Sequence, residues 1–77
     1  MTVVPLTGPE WIAAYARRLG LDVPTQSTIE DVLALAATAA HASERMAAPI
    51  ACWLAGRAGV GLEAAVAVAN SVSDTAV

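Results

Sequence analysis

Lysine and phenylalanine are absent from the chain, and cysteine occurs once. Without a second cysteine no internal disulfide can form, so no covalent bridge closes the fold and a reducing cytoplasm is the expected setting. One cysteine and one histidine fall short of the three or four ligands that a zinc site takes, so neither a metal nor a cofactor is expected. The four basic residues are all arginines and are outnumbered by seven acidic ones, for a net charge of −3. That balance supplies no basic face to neutralise phosphates, and nucleic acid is excluded as a general partner. Long apolar runs are missing too. The longest stretches free of charged residues, Val32–Ser43 and Met46–Gly56, hold twelve and eleven residues. A spanning helix takes roughly 20, and both stretches are rich in alanine, so no membrane span is expected despite a mean hydropathy of +0.61. The start, "MTVVPLTGPEW", has no basic opening and no continuous apolar run, and does not read as a signal peptide.

What the chain has is alanine, 19 of its 77 residues. The hydrophobic fraction of 57% therefore overstates the material for a core, since only 25 of those residues are larger than alanine. Alanine buries little area, so the core should be thin and the helices close together. The length gives a single domain over residues 1–77. A domain this small usually needs a metal, disulfides or a partner to hold it. With the first two set aside, self-association is the remaining route.

The pattern is that of an all-α protein, a compact array of four helices over about 8–19, 28–44, 49–58 and 62–72. No segment alternates in the manner of a strand. "TGPEW" places Thr7 and Glu10 at capping-box spacing with Pro9 in the first turn, and Gly20 suits the stop. Ile12, Tyr15, Ala16 and Leu19 share a face, with Trp11 at its edge. Ser27 and Glu30 repeat the capping spacing before the second helix. Its apolar side is expected to be Ile29, Val32, Leu33, Ala36, Ala40 and Ser43. Pro49 suits the first position of the third helix, whose bulky face is Ile50, Trp53 and Leu54 and whose small face is Cys52, Gly56 and Gly59. In the last helix Leu62, Ala65, Val66, Ala69 and Val72 should point inward. Residues 1–7 and 73–77 are expected to be flexible ends.

Chemistry-bearing residues crowd into "AHASERMAAPIACWLAG", residues 40–56. His41 and Arg45 stand one helical turn apart and can meet on one face. Arg45 would offer a forked donor to a phosphate or carboxylate, His41 a hydrogen bond or proton, and the free N–H groups opening the third helix would point at the same anion. The alternative is that both serve the end of the second helix, where cations favour the dipole and can bond terminal carbonyls. Cys52 lies among Ala51, Ala55 and Gly56 and reads as a small apolar packing residue, not a nucleophile. Trp11, Trp53 and the single tyrosine are expected to fill gaps left by the alanines. As a partner surface, Trp11, Trp53, Cys52 and Gly56 are the candidates, with the small face allowing close approach. No Asp-Ser pair occurs, so the carrier chemistry of the similarly small, acidic acyl carrier proteins is absent.

The ordered pattern "WIAAYARRLG … VLALAATAAHASERMAAPIACWLAGRAG" resembles a small helical domain of unknown function from actinobacterial genomes. That domain occurs alone or at the C-terminal end of molybdopterin-guanine dinucleotide biosynthesis proteins. The resemblance covers residues 11–59 and is most specific at Ala40-His41, Arg45, Ala47-Ala48-Pro49 and Leu54-Ala55-Gly56. The family has proline after the arginine, where Met46 stands here, and acidic residues near the positions of Ala34 and Thr38. The resemblance implies an accessory role in molybdenum-cofactor biosynthesis, with a nucleotidyltransferase as protein partner. The chain has no glycine-rich nucleotide loop or acidic metal pair with which to transfer a nucleotide itself. Three readings stand open on the sequence. The first is a non-catalytic cytoplasmic interaction module. The second is a ligand-binding protein or small enzyme with an anion site at His41 and Arg45. The third is a purely structural homodimer.

Overall fold

A computed structural model of the chain describes residues 5–75, with side chains described through Val72. Four helices follow one another: α1 (Gly8–Arg18), α2 (Gln26–Ala42), α3 (Ala47–Ala58) and α4 (Leu62–Thr75). No strand occurs among the described residues, and the architecture is the expected all-α four-helix array. The expected flexible ends fall partly outside the described residues. Within them, residues 5–7 lead into α1, and α4 continues to Thr75, past the expected end at 72.

The helix ends show which side chains set the boundaries. At α1 the capping box forms as expected: the Glu10 N–H donates to Thr7 Oγ1 at 3.2 Å, and the Thr7 N–H donates to Glu10 Oε1 at 2.8 Å. The other end of α1 closes in a Schellman motif. Gly20, at φ 76°, donates to the Arg17 carbonyl at 3.0 Å, and Leu21 donates to that of Ala16 at 2.9 Å. The start of α2 corrects the expectation. Thr25, not Ser27, is the N-cap, and its hydroxyl accepts the Thr28 N–H at 3.1 Å. Thr25 follows Pro24 and sits in extended backbone, so it is already in cap geometry and the helix starts at Gln26. α2 also stops sooner than expected, at Ala42, where Ser43 leaves the helical region at φ −142° and ψ −95°. α3 starts two residues before Pro49, at Ala47. Proline is still tolerated there, because the N–H groups of the first four residues have no intrahelical partner.

Helix α2 is the hub, packing against both α3 and α4. Among the described residues three are buried: Ala16, Leu35 and Ala65. Leu35 is the one large side chain among them. The packed side of α2 passes through Val32, Leu35, Ala36 and Ala39, with Ile29 and Ala40 half-buried beside them, so it overlaps the expected side and departs from it at Leu33 and Ser43. Leu33, expected inward, is 61% exposed, and Ser43 is exposed as well. α3 meets α2 through a seam of small residues, Ala47, Ala48, Ala51, Cys52 and Ala55, which are half-buried. Its bulky residues Ile50, Trp53 and Leu54 face solvent. On α4, Leu62, Ala65, Val66 and Ala69 are covered at least in part, whereas Val72, expected inward, is exposed.

The aromatic residues do not fill the core. Trp11, Tyr15 and Trp53 are 54%, 51% and 61% exposed. Helices that meet through alanine come too close for an indole to sit between them, so the large rings are left outside the seams. The consequence shows in the total surface. The chain exposes 6198 Å², whereas a folded monomer of its 7.8 kDa mass would expose roughly 4,400 Å². The array measures 55 × 24 × 18 Å along its principal axes.

Candidate interaction surface

The segment that concentrates the rare residues becomes a helix end, a turn and a helix start. His41 lies on the last turn of α2, and Arg45 lies beyond it, in the turn that leads to α3. The two therefore do not share one helical face, because the helix ends between them. Both are exposed. The capping work at this end is done by Ser43, whose backbone N–H and hydroxyl each donate to the Ala39 carbonyl at 3.2 Å. His41 stands where a cation favours the helix dipole.

The start of α3 offers an anion little. The Ala47 N–H donates to the Glu44 carbonyl at 3.0 Å and the Ala48 N–H to the Arg45 carbonyl at 3.2 Å, while Pro49 has no N–H. The backbone donors that an anion would need at the first three positions of α3 are already engaged or absent.

Cys52 is half-buried, and its thiol makes a long contact of 3.9 Å with the Val32 carbonyl of α2. It sits in the α2–α3 seam, as a small packing residue would. Gly56, on the same helix, is exposed, and a Cβ built there would meet nothing within 4 Å. Among the described residues no neighbour outside its own helix approaches Gly56. Among the described residues no three His, Cys, Asp or Glu side chains come together as metal ligands would.

The chain concentrates apolar surface on its outside instead. Between α3 and α4 runs an open groove of about 340 Å³, floored by Leu35 and walled by Leu54, Ala58, Val60, Val68 and Val72. No charged residue among the described ones lines it. Through Ala51, Ala69 and Val72 it continues into a second hollow of about 380 Å³, reaching Ala39 and Ala42 of α2. A third hollow, about 480 Å³, follows the turn between α2 and α3 past Met46, Ile50 and Leu54. Neither His41 nor Arg45 lines any of the three. The rings sit elsewhere. Trp11 and Tyr15 stack on α1 with centroids 4.9 Å apart, and the Arg57 guanidinium lies 5.4 Å from the centre of the Trp53 ring. Both arrangements hold a large ring in one orientation at the surface.

Trp11 and Trp53 stand out in the sequence, whereas the groove and its floor, Leu35, do not. The signal was present in the spacing of Val32, Leu35, Ala36 and Ala39, which follows the helical repeat as well as the expected face did.

The fold and surface define a small all-α domain that packs its alanines inward and turns its bulky apolar side chains outward. None of its described helices is long and apolar enough to cross a membrane. The chain belongs to a family of domains of unknown function, DUF6457, whose model matches residues 5–77. No curated protein and no solved structure matches the chain.

Proposed function

We propose that the chain is a non-catalytic helical interaction module, which works through a protein that covers its outward apolar face. One observation carries this reading: among the described large apolar side chains only Leu35 is buried, while Trp11, Trp53, Leu54, Val68 and others stand more than half exposed. Apolar surface of that extent, part of it in the joined hollows between α3 and α4, marks an interaction site more often than an inert surface. The alternative of an anion site at His41 and Arg45 loses support from the break in α2 between them and from the engaged donors of α3.

The setting of the module rests on the resemblance of residues 11–59 to a domain carried by molybdopterin-guanine dinucleotide biosynthesis proteins. On that ground the module is an accessory to molybdenum-cofactor assembly in an actinobacterial cytoplasm, with a nucleotidyltransferase or a second copy as its partner. The experiment is affinity capture of the tagged chain from its own organism, alongside molybdoenzyme assays in a deletion strain and sedimentation of the purified chain. Capture of the nucleotidyltransferase, with molybdoenzyme activity reduced in the deletion strain, is the expected result. Normal molybdoenzyme activity removes the cofactor link. A chain that sediments as a monomer at every concentration and captures nothing removes the module reading.

A further inference from the structure

We draw no further inference here: the strongest candidate, the apolar groove between α3 and α4 above Leu35 together with the exposed stripe of Trp11, Tyr15 and Leu19 along α1, carries nothing further because nothing in the structure shows what covers either surface.

Discussion

Leu35→Ala should be among the most damaging single substitutions in this domain, and Leu33→Ala, two residues away, should be nearly silent. Leu35 is 3% exposed and lies where α2 meets both α3 and α4, whereas Leu33 is 61% exposed. Burying a leucine side chain contributes about 1.5–3 kcal/mol, and truncating one in a core costs about 2–5 kcal/mol, depending on the cavity left behind. Here the groove above Leu35 is already open, so the void left by truncation joins solvent-accessible space. That places the loss in the lower half of the range, about 2–3 kcal/mol. For a chain of 77 residues the entropy of unfolding is about 0.16 kcal/mol/K, and the melting temperature should fall by about 15 °C. A domain of this size holds only roughly 3–5 kcal/mol from its core, so half or more of its stability depends on this residue.

The assay is thermal and urea unfolding followed by far-UV circular dichroism, run at two protein concentrations so that any contribution from association is seen separately. Leu33→Ala should stay within about 0.5 kcal/mol of the parent chain, as exposed positions do. Equal losses for the two variants, or a larger loss for Leu33→Ala, would show that the packed face of α2 is the one suggested by its bulky residues and would refute the packing described above.

Thr25→Ala should cost about 1 kcal/mol by removing the α2 cap, while Ser27→Ala should be close to neutral; urea unfolding of both variants decides which residue caps the helix. The Glu10 carboxyl is held below its usual range by the Thr7 backbone N–H and then by the Thr7 hydroxyl. A depressed folded value adds stability above the unfolded value of 4.5 and loses it as pH falls through the folded one, so helicity at α1 should decline on acidification, and Glu10→Gln should flatten that decline. Amide exchange or residue-resolved NMR across the same pH range is the measurement, and an identical profile for Glu10→Gln would count against the capping box. Gly59→Ala, at φ 70°, should destabilise by about 1 kcal/mol because a Cβ is strained there. Gly56→Ala, inside α3 with open space around it, should instead stabilise the isolated chain by up to about 1 kcal/mol, and a loss of association in that variant would place Gly56 within the partner contact.

The number of helices and about half of their ends are legible in the sequence, because the determinants of those ends are local. Thr7, Glu10 and Gly20 act within four residues of where they stand, and each does in the structure what its spacing implies. The capping spacing alone places the start of α2 two residues late, because Thr25 and Ser27 are both good caps and the choice between them falls to the extended backbone after Pro24. The pairing of His41 with Arg45 assumed that α2 runs through both, and the departure of Ser43 from helical backbone is not written in any single residue type.

The faces were less legible than the ends, for a physical reason. A periodicity argument gives weight to bulky apolar residues and takes their side as the buried one. At Leu33 of α2 and at Ile50, Trp53 and Leu54 of α3 that weighting points the wrong way, because the closest packing is reached through Ala36, Ala39, Ala47, Ala51 and Ala55, which let the backbones approach. The choice follows from composition: with so few large side chains, a core built of them would hold the helices apart, whereas alanine lets the backbones close on one another. The large residues are then displaced outward, where in isolation they contribute little to stability. Their presence on α1, α3 and α4 makes sense for a domain with two interfaces, a tight one of alanine within the chain and a second of leucine, valine and tryptophan toward another molecule. On that account, replacing Leu54 and Val68 with polar residues should abolish association while sparing the fold of the single chain, the reverse of what truncating Leu35 does.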